Sequence, residues 1–224
     1  MASKPDEPKP RRRWLQFSLR TFFALLTVFG VWLGWTVNRA KKQEEAVEWV
    51  REMGGWVLYD YELDEDGNQI MDAIPPGPTW LRESLGPGFL DDVVQAQVAG
   101  HWSAPSHSHI MDATPLAELT GLQRLYLNYN QVSDLTPLTG LTSLQELWLD
   151  YTQVSDLTPL AGLKSLEWRD LKNTPVKNLT PLAGLRNLEA LWLDNTPVSK
   201  EQVEELRKAL PNCNISWSPP DPSP

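Results

Sequence analysis

The chain has 224 residues, 41% of them hydrophobic, which suits one modest folded unit with additions and excludes both a two-domain enzyme and a wholly disordered tail. Its 20 Lys and Arg and 29 Asp and Glu are unevenly placed: residues 1–42 hold 9 basic and 2 acidic side chains, so the remainder holds 11 and 27, a charge of −16 that repels nucleic acid. A single cysteine, Cys213, excludes an internal disulfide framework and a cysteine-based zinc cage.

A basic tail over residues 1–13 precedes an apolar run. From Thr21 to Val37 the chain reads TFFALLTVFGVWLGWTV, 17 residues without a charge, or about 25 Å of helix. Extension back through Trp14, Leu15, Phe17 and Leu19, with Arg20 snorkelling, gives an expected transmembrane helix over 14–37, with Trp32 and Trp35 at the far interface. A cleaved signal peptide is the rival, but Val37, Asn38, Arg39 and Ala40 offer no small-x-small cleavage site. Six basic residues before the span (Lys4, Lys9, Arg11, Arg12, Arg13 and Arg20) outnumber the four after it (Arg39, Lys41, Lys42 and Arg51), so the N-terminus is expected in the cytoplasm and the rest outside the cell membrane. Gly30 and Gly34 form a small-xxx-small pair that would allow a homodimer through this helix, although glycine is common in membrane helices anyway.

Residues 38–90 read as a juxtamembrane helix and a small cap. Val47, Val50 and Met53 recur at helical spacing over Ala40–Met53, and Gly54-Gly55 stops that helix. Trp56–Tyr61 reads as a strand, turning at Asp64-Glu65-Asp66-Gly67-Asn68 into a hairpin that returns through Ile70. Glu62, Asp64, Asp66 and Gly67 match the opening of a calcium loop, but Ala73 stands where the bidentate glutamate belongs, which favours a solvated turn. After Pro75-Pro76-Gly77-Pro78 a short helix around Thr79–Leu85 is expected to cover the next element with Trp80, Leu81 and Leu85.

The fold is set by a repeat over 91–198. Thr-Pro-Leu recurs at Thr114, Thr136, Thr158 and Thr180, always 22 residues apart. In step with it run Leu122, Leu125 and Leu127; Leu144, Leu147 and Leu149; Leu166, Arg169 and Leu171; Leu188, Leu191 and Leu193; and Val132, Val154, Val176 and Val198. Leu-x-Leu alternation makes a short strand with one apolar face, and only stacking of coils at about 4.8 Å buries that face and pairs the backbones. An α/β solenoid of about five short parallel strands follows, counting a degenerate first strand at Val94, Ala96 and Val98. Asp134, Asp156 and Asn178 are placed as N-caps of short 3₁₀ or α segments on the convex side.

These residues, with segments such as LTSLQELWLDYTQVSDLTPLAG, resemble the leucine-rich repeat family, in particular its 22-residue internalin-type bacterial repeats. The resemblance implies an adhesion, scaffolding or recognition module without chemistry of its own. Two departures stand out. The usual turn asparagine is present as Asn130 and then replaced by Thr152, Thr174 and Thr196, which points to turns held by hydroxyls. Arg169 occupies an inward leucine position, so either a bulge turns Trp168 in and Arg169 out, or the repeat is destabilised by a buried charge.

Residues 199–217 read as a terminal cap: a capping box at Ser199-Lys200-Glu201-Gln202, a helix burying Val203, Leu206 and Leu210, and an edge strand at Ile215 and Trp217 beside an inert Cys213. Residues 218–224 read as a disordered tail.

Binding is expected on the concave sheet at Arg124, Tyr126, Asn128, Glu146, Trp148, Asp150, Trp168, Asp170, Lys172, Trp192 and Asp194, with Ala190 the small member of the set. Tyr126, Trp148 and Trp192 share one position, giving a stripe of exposed rings among carboxylates suited to a protein or peptide partner. The same rings could stack on a glycan, or merely on one another in a ligand-free envelope spacer. His101, His107 and His109 share a loop that could hold a transition metal but reads more simply as flexible. No phosphate-binding loop, nucleophile elbow or HExxH motif is present, so neither an enzyme nor a cofactor is expected.

Overall fold

Four Thr-Pro-Leu coils stack because none of them can bury its leucine row alone. The computed structural model describes residues 19–98 and 110–220. The basic tail, the first residues of the expected span, the histidine loop and residues 221–224 lie outside the described residues.

Helix α1 (Leu19–Glu52) is 34 residues long and carries an apolar stretch long enough to cross a membrane, none of which is buried in the protein. The juxtamembrane helix expected to be separate is its continuation: no proline or glycine interrupts Thr36–Glu52, and Lys41 and Glu45 pair at i,i+4. Its C-terminal half packs Ala40, Gln43, Ala46, Val47 and Val50 against the first coil. Gly54, at φ 77°, ends it.

Strand β1 (Trp56–Tyr59) does not form the expected long hairpin with Ile70. It pairs antiparallel with β2 (Val93–Gln97), because only there do Leu58 and Tyr59 meet the core. The turn at Asp64–Asn68 survives as a small hairpin carrying one bridge, Leu63 to Gln69. Helix α2 (Thr79–Leu85) forms where expected, with Leu81 and Leu85 half-buried, but Trp80 remains 64% exposed, and Arg82 pairs with the buried Asp91.

Strands β3 (Arg124–Tyr126), β4 (Glu146–Trp148), β5 (Trp168–Asp170), β6 (Ala190–Trp192) and β7 (Asn214–Ser216) continue from β2 in parallel, so the sheet has seven strands, the six from β2 to β7 parallel. The extra strands beyond five are the two end closures, β1 and β7. Leu125, Leu147, Arg169, Leu191 and Ile215 align directly across them. The convex side consists of 3₁₀ turns at Thr114–Glu118, Thr136–Gly140, Thr158–Leu160 and Thr180–Leu182.

Asp134, Asp156 and Asn178, expected as N-caps, stand one place before the cap positions, which are Leu135, Leu157 and Leu179. Each accepts the amide hydrogen of the threonine two residues on, at 2.8, 2.8 and 3.0 Å, and Asp112 does the same for Thr114 at 2.8 Å. Hydrogen bonds from those threonine hydroxyls and amides hold the carboxyls of Asp112, Asp134 and Asp156 below the usual range. The turn hydroxyls of Thr152, Thr174 and Thr196 donate to Leu149, Leu171 and Leu193 carbonyls at 2.6–2.7 Å. Asn130 serves both roles, donating to Leu127 and accepting from Ile110.

The strand at Arg169 carries no bulge. Register with β4 and β6 is unbroken, Trp168 points outward at 41% exposure, and Arg169 is 1% exposed. Its three guanidinium nitrogens have no hydrogen-bond partner among the described residues, and burial pulls its pKa down to about 9, which still leaves it charged at neutral pH. The reading in which Trp168 turns inward is thus overturned, because a one-residue slip would also carry Asp170 into the core.

Helix α3 (Lys200–Ala209) caps the far end with half the expected capping box. Ser199 accepts from the Gln202 amide, but the Gln202 side chain accepts from the Leu179 backbone instead of returning to Ser199. Burial pushes the Cys213 thiol up to about 11, consistent with an inert group. Ser218, assigned to a disordered tail, is held: its carbonyl accepts from Asn195 at 3.0 Å.

Candidate functional site

On the concave sheet, residues at one strand position stand side by side at about 4.8 Å, so their identities decide whether they stack or gape. Tyr126 and Trp148 stack with centroids 5.9 Å apart at 25°. Trp148 and Trp192 are two strands apart, about 9.6 Å at that spacing, yet their rings stack at 5.9 Å. They lean together over the short side chain of Asp170, which is consequently only 5% exposed. Trp168 adds a tilted contact to Trp192 at 6.0 Å.

The expected stripe of free rings is therefore corrected. Tyr126, Trp148 and Trp192 are half-buried by one another, and of the four only Trp168 is exposed. The faces that a sugar would need are largely taken by neighbouring rings, leaving edges outward.

The charged positions divide into two groups. Arg124 bonds Glu146 at 3.0 Å and the Gly67 carbonyl at 2.9 Å, so this pair fastens the Asp64–Asn68 turn to the sheet. Within that turn Asp64 accepts from the Asp66 and Asn68 amides, as a turn cap does. At the other end Asp194 accepts from the Ser216 hydroxyl. Asn128 is half-buried and Ala190 buried.

The middle of the face is less well satisfied. Asp170 accepts from the Lys172 amide at 2.9 Å and lies 3.4 Å from its ammonium, which also sits 5.5 Å over the Trp192 ring. Asp150 beside them has one carboxylate oxygen buried without a partner among the described residues, as is the Trp148 indole nitrogen. Burial, and then the charge of Asp170, raise the Asp150 carboxyl to about 6 against the opposing pull of Lys172.

A raised folded-state pKa means that the native state prefers the protonated acid. The resulting stability is present below the ordinary carboxyl range near 4 and is lost as the pH rises through about 6. Asp150→Asn should therefore match the wild type in urea melts at about pH 4 and exceed it by about 1–2 kcal/mol at pH 8, after discounting for partial contact with water. Lower stability of the variant at pH 8 would mean that a partner holds the carboxylate.

A feature of this rim had no sequence signal beyond its period. Tyr129, Tyr151, Asn173 and Asn195, 22 residues apart, all adopt left-handed backbone with φ of 55–59°. Asparagine tolerates this conformation, and the two tyrosines offset its cost by stacking at 4.7 Å, while Asn195 donates to Asn173 at 2.6 Å.

The fold and this face define a leucine-rich repeat solenoid, a class whose curved sheets serve as protein-interaction modules. A family model described as leucine-rich repeats, in two copies, matches residues 120–167, within the segment that holds the four Thr-Pro-Leu coils. Among solved structures the chain is similar to internalin C2 of Listeria monocytogenes, at 34% identity over 53% of each chain with a TM-score of 0.46. It is also similar to a leucine-rich repeat protein of Leptospira interrogans, at 30% identity over 47% of this chain and 28% of that one, with a TM-score of 0.44. A second Listeria internalin, InlF, is 22% identical over 61% of this chain and 53% of that one, with a TM-score of 0.39. The chain thus spans about half the length of internalin C2. No curated protein matches it.

Proposed function

We propose that the chain is a membrane-anchored leucine-rich repeat module that binds a protein or peptide through the concave face, with no catalytic step of its own. The observation that carries this reading is the middle of the sheet, where Trp168 stands exposed and a Trp148 indole nitrogen and an Asp150 oxygen are buried without partners among the described residues. Such groups gain most from an incoming polar backbone or side chain, and a rigid aromatic platform is what a protein partner anchors on.

The anchor is α1, whose apolar stretch is long enough to cross a membrane, and the excess of basic residues before it favours the repeats on the outer side. A Cβ added at Gly30 or Gly34 would meet no atom of the described residues within 4 Å beyond the helix's own backbone, which leaves room for close approach of a second α1. Gly30→Leu should abolish cross-linking between copies in membranes if that homodimer forms, and unchanged cross-linking would remove it.

The binding reading is tested with the full chain in nanodiscs. Trp168→Ala should lower affinity for a captured partner by roughly 10- to 30-fold, as loss of an aromatic anchor does, while the convex variant Thr139→Ala leaves it unchanged. Equal loss in both variants, or in neither, would overturn the concave site and favour an envelope spacer. Retention on polysaccharide arrays would favour the glycan reading.

A further inference from the structure

The segment between β1 and β2 begins and ends at one level. The Asp60 amide donates to the Asp92 carbonyl at 3.0 Å, and the Asp92 carboxylate pairs with Arg39 at 2.5 Å. Arg39 is two residues beyond the last apolar residue of the run, Val37. The same segment touches α1 twice more nearby: a Cβ on Gly88 would lie 3.0 Å from the Ala40 carbonyl, and one on Gly86 would lie 3.0 Å from the Glu44 carboxylate. At 1.5 Å per residue these contacts stand roughly 3–10 Å along α1 from Val37, the depth of a bilayer's headgroup layer.

That stretch also leaves unusual apolar surface uncovered. Met71 is 86% exposed, Ile74 88% and Trp80 64%, with Ile70 and Leu90 also exposed. On α2, Arg82 faces the body through Asp91 and the Tyr61 ring, so Trp80, two residues earlier and about 200° around the helix, faces away. Five large apolar side chains are thus exposed within the one stretch 70–90, and tryptophan favours the boundary between lipid and water.

From the location of these contacts we infer that residues 70–90 rest in the headgroup layer of the bilayer that α1 crosses, with Ile74 and Trp80 dipping into it. This rests on the membrane-anchor reading of α1. Asp72 and Glu83 lie within the same stretch, so the surface suits zwitterionic lipid and would be repelled by an anionic one. The solenoid would then be seated on the membrane at two points instead of swinging from one helix.

The test uses the full chain in phosphatidylcholine vesicles, with Cys213→Ser as background and one fluorophore at a time on Phe29→Cys, Met71→Cys, Ile74→Cys or Glu205→Cys. Brominated phosphatidylcholine is the lipid quencher and iodide the aqueous one. Labels at 29, 71 and 74 should be quenched by the bromolipid, and iodide quenching at 71 and 74 should be at least about threefold weaker than at 205, as for interfacial groups. Labels at 71 and 74 as open to iodide as that at 205, with 29 still quenched by lipid, would overturn the inference and leave the anchor standing. Iodide reaching 29 would overturn both. Shielding of 71 and 74 from both quenchers would overturn the inference in favour of a protein cover such as a second copy.

Discussion

Arg169→Leu should make the protein more stable, by about 2–5 kcal/mol, because it removes a charged guanidinium from an apolar core in which no described residue bonds it. The position is ready for leucine: Leu147 and Leu191 flank it in register on the neighbouring strands, and both are fully buried. For a unit of this size the gain corresponds to roughly 5–15 °C in Tm. Burial lowers the folded-state pKa of Arg169 below its unfolded value, so its penalty is fully present at every pH below about 9 and shrinks only above that. The gap between variant and wild type should therefore be flat from about pH 5 to 8. Thermal melts of the two chains in one detergent at both pH values would show it; an unchanged or lowered midpoint would mean that the guanidinium has found a partner. A solenoid can carry such a residue because each coil leans only on its neighbours, so the damage stays local.

The second large effect runs the other way. Gly55→Ala should free the N-terminal closure, since a Cβ there would lie 2.2 Å from the Gln97 carbonyl oxygen and 2.9 Å from both Val50 Cγ1 and the Val50 carbonyl. Two of these atoms are backbone and cannot swing aside. Relief requires β1 to part from β2 or from the end of α1, at a cost of about 3 kcal/mol or more. Hydrogen exchange reads this directly: protection of the Val57–Tyr59 amides should fall on the order of 100-fold while that of β4 and β6 is unchanged. Protection in β1 equal to wild type would show that the junction has room the contacts deny.

Much of the fold was legible because its information is periodic. A leucine at every second place in a strand and a proline at a fixed offset specify a coil whatever surrounds it, and repetition every 22 residues leaves stacking as the one way to bury the row. The concave positions were legible for the same reason, since side-chain direction follows from alternation. What those side chains do with one another was not. That Trp148 and Trp192 close over Asp170 depends on a short residue lying between two long ones on adjacent strands, and exposure follows from that contact.

The sequence by itself determined the repeats, their register, the apolar run and the arrival of Arg169 at a leucine position, because each is written in local pattern and periodicity. Only the tertiary structure decided that α1 runs unbroken into the first coil, that β1 crosses to β2, that Gly55 is confined by Gln97, that Arg169 stays buried, and that Gly86 and Gly88 of the cap lie against α1. The pairing of β1 with β2 and the Arg39–Asp92 tie are set by contacts between residues roughly 35 to 55 places apart, where the burial available at a particular neighbour, and no local preference, selects the partner.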